Sequence, residues 1–97
     1  MTPEAKVKES VRRTLRQLGA YYVMPATGGY GASGAPDFLV CYQGRFIGIE
    51  CKAKKNKLTP LQKLNFDAIL KAGGRTFLAD EQSVDNLKQF LETGELQ

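Results

Sequence analysis

Two strand-like segments joined by a tight turn constrain this chain more than any other feature. Residues 37–42 read Asp-Phe-Leu-Val-Cys-Tyr and residues 45–52 read Arg-Phe-Ile-Gly-Ile-Glu-Cys-Lys. Both are rich in β-branched and aromatic residues, and Gln43-Gly44 between them suits a two-residue hairpin turn. Such a turn sets the register: Tyr42 opposes Arg45, Cys41 opposes Phe46 and, continuing outward, Asp37 opposes Glu50. A four-residue loop closing on Cys41 and Phe46 predicts the same pairs. Two carboxylates directly across a strand pair repel each other, and a divalent cation is the obvious group to relieve them. Side chains alternate along a strand, so Glu50 and Lys52 share a face and Cys51 points to the other. Asp37, Glu50 and Lys52 therefore converge at one end of the hairpin. Oxygen ligands suit Mg2+ or Mn2+, and an ammonium beside such an ion can position a water or steady charge on a phosphate. The plain alternative is a turn followed by a surface ion pair. It fits poorly with Phe38, Leu39, Val40, Phe46, Ile47 and Ile49, which make the hairpin apolar on both faces, as in a buried central pair.

Composition narrows the chemistry further. A chain of 97 residues with 42% hydrophobic and 25% charged content reads as one small globular domain, residues 1–97. No apolar run approaches a membrane span and the amino terminus is polar and basic, so the expectation is a cytoplasmic protein without membrane attachment. Cys41 and Cys51 project from opposite faces of the hairpin, out of disulfide reach, and are expected to be reduced core thiols. The net charge of +4 favours a polyanionic partner. There is no histidine, which removes imidazole bases, His-metal nucleases and Ser-His-Asp hydrolases, and with two cysteines leaves no ordinary zinc site. Any catalysis must use carboxylates, lysine and a hard metal.

The rest of the chain supplies the surroundings. Thr2-Pro3-Glu4 is a helix start, and the helix is predicted to run to about Leu18 and stop at Gly19, with Val7, Val11, Leu15 and Leu18 inward. Glu4 lies on that same face, where an acid needs a partner. Metal-site duty and a simple favourable interaction with the helix dipole are both open to it. Residues 20–24 read as a short strand. Residues 26–35 hold four of the ten glycines and match no phosphate loop. Amides near Gly29 and Ser33 approaching a phosphate backbone, or a plain connection, explain this stretch equally well, and Tyr30 has the chemistry to stack on a base. Lys54, Lys55 and Lys57 form a basic loop next to Lys52, either a solvated face or a phosphate-binding rim. Thr59-Pro60-Leu61-Gln62 opens a second helix with a capping box that can occupy Gln62 entirely. That helix is expected to end at Gly73-Gly74, with Leu61, Leu64, Ala68 and Ala72 toward the sheet and Phe66 and Leu70 off that stripe. A strand at residues 75–79 and a last helix at 83–91, with Val84, Leu87, Phe90 and Leu91 inward, complete the chain, and residues 93–97 should fray.

The order helix, three strands, helix, strand, helix, with Glu4 before Gly19, Gly34-Ala35-Pro36-Asp37, Glu50-Cys51-Lys52 and Gln62 after Thr59-Pro60, resembles the PD-(D/E)xK nuclease superfamily. More narrowly it resembles small stand-alone members of the virus-type replication-repair nuclease (VRR-NUC) family. The resemblance covers Glu4 to about Ala79. Cys51 stands where an aliphatic residue is more usual, a difference that touches only the buried face and a backbone carbonyl. It implies an α/β, restriction-endonuclease-like core: a mixed β-sheet of about four strands flanked by helices, in the order αβββαβα. It also implies a metal-dependent DNA endonuclease. Glu4, Asp37, Glu50 and the Cys51 carbonyl would hold Mg2+ or Mn2+, Lys52 would orient or activate water, and Gln62 would support the site. Gly29, Tyr30, Ser33, Lys54, Lys55 and Lys57 are the candidate DNA contacts. Homodimers acting on branched DNA, including four-way junctions, are the implied assembly and substrate, and Phe66 and Leu70 the expected interface. A nicking or restriction-like endonuclease is the nearest alternative, and a noncatalytic DNA-binding module on a nuclease-like fold is the alternative from another class.

Overall fold

The structure, a computed structural model, describes residues 1–26 and 34–94. Helix α1 spans Pro3–Leu18, followed by β1 (Tyr21–Val23), β2 (Phe38–Tyr42), β3 (Arg45–Cys51), α2 (Pro60–Lys71), β4 (Arg75–Ala79) and α3 (Leu87–Thr93). The four strands form one sheet in the order β1-β2-β3-β4. The first two pairings are antiparallel, and β4 joins β3 in parallel after the α2 crossover. This is the mixed, helix-flanked α/β sheet expected from the sequence.

The hairpin register is also as expected, with Tyr42 opposite Arg45, Cys41 opposite Phe46 and Phe38 opposite Ile49. Gln43 and Gly44 both take positive φ, 50° and 78°. That geometry matches the twist of the two strands and closes the turn in two residues.

Alternation along β3 then separates two layers. Ile47, Ile49 and Cys51 point into the main core with Phe38, Val40, Phe77 and Ala79. Val7, Val11 and Leu15 of α1 and Leu87, Phe90 and Leu91 of α3 close over them. The Phe77 and Phe90 rings meet at 5.0 Å between centroids. Gly48 and Glu50 face the opposite layer, where α2 lies over β3 and β4. A side chain at Gly48 would come within 2.6 Å of Ile69 Cδ1, so its absence lets α2 settle close to the sheet.

The rotation of α2 corrects one expectation. Phe66 is buried and Ile69 packs on Gly48 and Gly74, whereas Leu61, Leu64, Ala68 and Ala72 are exposed. The helix carries apolar residues on two faces, and contact with the sheet goes to the face that includes Gln62. Of the two residues expected at an interface, Phe66 is thus taken up by the contact with the sheet, while Leu70 is 52% exposed. Phe66→Ala should cost about 3–4 kcal/mol, as read from its urea midpoint.

Smaller departures have simple causes. Cys51 is buried, but Cys41 is exposed, because α2 covers β3 and β4 and leaves the outer half of that sheet face open. The first strand is limited to Tyr21–Val23. The last helical stretch begins with one 3-10 turn, Val84–Asn86, and α3 extends to Thr93 with Gly94 as its cap. Residues 95–97, expected to fray, lie outside the described residues. Among the described residues no helix is long and apolar enough to cross a membrane.

Candidate functional site

The site lies where β3 ends. Asp37 sits one residue before β2, and its Oδ2 accepts the Cys51 backbone N–H at 2.9 Å. That bond ties the Pro36-Asp37 corner to the last residue of β3. Glu50 is the one charged residue among the buried described positions, at 4% exposure. Its Oε2 accepts from Gln62 Nε2 at 3.1 Å. Gln62 does two jobs: its Oε1 also accepts the Thr59 N–H at 2.9 Å, completing the capping box of α2. The helix start is thus what aims the amide at Glu50.

Each of the two carboxylates consequently has one oxygen anchored by a protein N–H and one that is not. Glu50 Oε1 is buried without a hydrogen-bond partner. An orphaned carboxylate oxygen at such depth is costly unless a proton or a cation meets it. The protonation of Glu50 reflects this. Burial first, then the charge of Asp37, push the Glu50 carboxyl up to about 8 against a smaller opposing effect of Lys52. The donor set therefore fits a hard divalent cation, which would meet the free oxygens of Asp37 and Glu50 and remove the need for that proton.

The other expected residues are placed as follows. Lys52 follows Glu50 by two, on the same face, and its N–H is fixed by Ala79 O at 2.8 Å. The Cys51 side chain is buried in the main core, and burial, then Asp37 and Glu50, drive its thiol far up, so it stays neutral. Only the backbone of Cys51 is available to the site. Glu4 is not gathered directly with Asp37: Lys8 Nζ stands between them, 3.6 Å from Glu4 Oε2 and 3.6 Å from Asp37 Oδ1. Among the described residues no three acidic or thiol side chains form one ligand cluster. Lys54, Lys55 and Lys57 are exposed on the loop after β3, and the Lys54 N–H is held by the Glu81 carboxylate at 3.0 and 3.2 Å. Gly29, Tyr30 and Ser33 lie outside the described residues.

Two contributors gain a role only from the structure: Lys8, which the sequence analysis did not single out, and Gly34, which it named only as part of the Gly-Ala-Pro-Asp stretch. Lys8 is one turn beyond Glu4 on α1, and that i,i+4 spacing was the signal for it. Gly34 backs onto the first turn of α2, where a Cβ would lie 2.6 Å from Leu61 C and 2.9 Å from Gln62 N.

Beside the site, an open groove of about 570 Å3 runs between α2, β4 and the basic loop. Lys55, Lys57 and Lys63 stand at its edge and Phe66, Leu70 and Leu78 on its apolar side. Leu78 is paired with Glu50 in the β3–β4 register, so the groove adjoins the carboxylates.

No protein-family model matches the sequence, and no curated protein does. The backbone is more informative. A solved structure of a VRR_NUC domain aligns with a TM-score of 0.73 over 98% of this chain and 100% of its own, at 23% identity. The alignment shows that this protein shares the fold of that VRR_NUC domain, the architecture that the sequence resemblance implies.

Proposed function

We propose that this domain is a Mg2+- or Mn2+-dependent DNA endonuclease, structure-selective and of the kind that resolves four-way junctions. The observation that carries the reading is the Asp37–Glu50 pair, with an anchored and an unanchored oxygen on each carboxylate and a buried Oε1 that lacks any donor. Asp37, Glu50 and the Cys51 carbonyl would hold the ion, with Glu4 joining them from α1. When bound, the ion supplies positive charge for a phosphate oxygen and lowers the pKa of a water. Lys52, on the same face as Glu50, orients that water or steadies charge on the phosphate. Gln62 is a positioning residue that keeps Glu50 turned toward the site. Lys54, Lys55 and Lys57 line the approach and neutralise backbone phosphates. Gly29, Tyr30 and Ser33 are proposed as further DNA contacts.

A symmetric homodimer is part of the proposal, because two equivalent sites suit paired cuts in a symmetric branched substrate. Leu70 stays in the proposed contact at 52% exposure, and with Phe66 buried the exposed Leu61 and Leu64 of α2, at 48% and 63%, join it in the proposal. The net charge of +4 agrees with a polyanionic substrate. A cytoplasmic location is consistent with such a substrate.

The direct test is cleavage of labelled four-way junction, plain duplex and single strand, each with and without Mn2+. Junction cleavage that requires Mn2+ is the expected result, and Lys52→Ala should lower it roughly 100- to 1,000-fold while leaving the Mn2+-induced rise in melting temperature intact. Junction binding without cleavage under every metal condition would mark a noncatalytic binding module. Equal cutting of plain duplex would favour the nicking or restriction-like reading.

A further inference from the structure

Lys8 occupies a position that the proposed reaction does not require. Its Nζ stands 3.6 Å from Asp37 Oδ1 and 3.6 Å from Glu4 Oε2, on the outward side of both acids. The inward side is arranged differently: Asp37 Oδ2 takes a backbone N–H at 2.9 Å and Glu50 Oε2 takes the Gln62 amide at 3.1 Å. Those two oxygens are fixed by true hydrogen bonds and Glu50 Oε1 has no partner, while Lys8 touches Asp37 Oδ1 and Glu4 Oε2 only at ion-pair distance, beyond hydrogen-bond length. We propose that Lys8 is an internal counter-ion that fills the cation position of the metal-free site and is exchanged for the divalent ion on binding. The proposal rests on the metal-site reading above.

Three physical points support exchange over a permanent bridge. The first is charge. Glu4, Asp37 and Glu50, when ionised, carry three negative charges, and the Lys8 and Lys52 ammoniums carry two positive ones. Replacing the single charge of Lys8 by a doubly charged ion closes that gap. The second is mobility of the group itself. The Lys8 side chain is 36% exposed and has a flexible four-carbon stem, so it can turn to solvent without disturbing α1. The Lys8–Glu4 pair is exposed at both ends and contributes little, so releasing it opposes binding only weakly, and at the 13%-exposed Asp37 the divalent ion takes over the charge that Lys8 gives up. The third is Glu4. It cannot approach Asp37 while Lys8 lies between them, and it is released by the same movement.

Lys8→Met keeps the length of the side chain and removes the competing charge. Isothermal titration with MnCl2, without DNA, should show Mn2+ bound about fivefold more tightly than by the wild type. The metal-free variant should melt lower than the metal-free wild type, since Glu4 and Asp37 then face each other unrelieved, and the two proteins should melt together when saturated with Mn2+. Lys8→Arg, which keeps the charge and adds bulk, should bind Mn2+ no more tightly than the wild type. Wild-type binding that is unchanged or weakened in Lys8→Met would overturn the exchange alone, and would make Lys8 a fixed part of the site. Failure of both proteins to bind Mn2+ would overturn the metal site and the exchange together.

Discussion

Glu50→Gln should abolish cleavage and at the same time make the metal-free protein more stable. The two effects share one cause. Glu50 is buried at 4% exposure beside Asp37, and burial, then Asp37, push its carboxyl up to about 8. A glutamine there has the shape of the protonated acid. Its carbonyl can accept from Gln62, and its amide can donate toward Asp37, which the ionised glutamate cannot do. The sign for the wild type follows from linkage. The native state binds a proton at Glu50 that the unfolded chain releases near the ordinary carboxylate value, 4.5. Stability from this group is therefore fully present below about 4.5 and is lost as the pH rises to about 8. The loss is on the order of a few kcal/mol, or roughly 10–25 °C in melting temperature for a domain of this size. Metal-free Glu50→Gln should lack that slope, and at pH 8 should melt above the metal-free wild type by about that amount. Saturating Mn2+ should flatten the slope in the wild type, by replacing the proton, and leave the variant unmoved. Thermal melts at pH 5, 6.5 and 8 with and without Mn2+ check all three statements. A variant that cleaves junction DNA at the wild-type rate would remove Glu50 from the site.

Gly34→Ala should cost roughly 2–5 kcal/mol, a large part of the stability of a domain this small. Gly34 has φ +85°, and a Cβ there would meet Leu61 C at 2.6 Å, Leu61 O at 2.7 Å and Gln62 N at 2.9 Å. All three are backbone atoms in the first turn of α2, held by the Thr59 cap, so they have no rotamer into which to retreat. Relief requires moving the helix start or the Pro36-Asp37 corner. Either movement separates Gln62 from Glu50, so cleavage should fall along with stability. Gly73→Ala is the control. Gly73 also has a positive φ, +97°, but open space around it, so it should show only the backbone cost, about 1–2 kcal/mol. Urea denaturation of both variants separates clash from strain. Equal midpoints would mean that Gly34 does not brace α2.

The hairpin was the most legible part of the chain because its information is local. Gln43-Gly44 sets the turn, the turn sets the register, and period-two alternation decides which side chains share a face. Asp37, Glu50 and Lys52 followed from three rules that involve no distant residue. The helix starts at Thr2-Pro3 and Thr59-Pro60 were equally plain, since caps are satisfied within one turn. The rotation of α2 was not. Its sequence carries two apolar stripes, and hydrophobicity alone favours Leu61, Leu64, Ala68 and Ala72 over Phe66 and Ile69. The register that decides between them comes from Gln62: once its amide meets Glu50, residues four and seven further on, Phe66 and Ile69, must face the sheet. Cys41 shows the same limit, because its exposure depends on how far one helix reaches across a sheet.

What the sequence determined by itself is the set of chemical groups and the local geometry of each element: a carboxylate pair with a lysine, no imidazole, capped helices, and a hairpin in one register. Only the tertiary structure decided which groups meet. Lys8 lies between Glu4 and Asp37 because α1 docks on β3 at one height, a matter of Val7, Val11 and Leu15 packing into the core. Gly34 is required because the start of α2 comes down on it, which depends on Gly48 admitting Ile69. Glu50 is left with an orphaned oxygen because α2 seals it from water and supplies one donor for two acceptors. Local rules reach about one turn or one cross-strand pair, whereas the depth of a carboxylate and the number of donors around it are set by elements far apart in the chain.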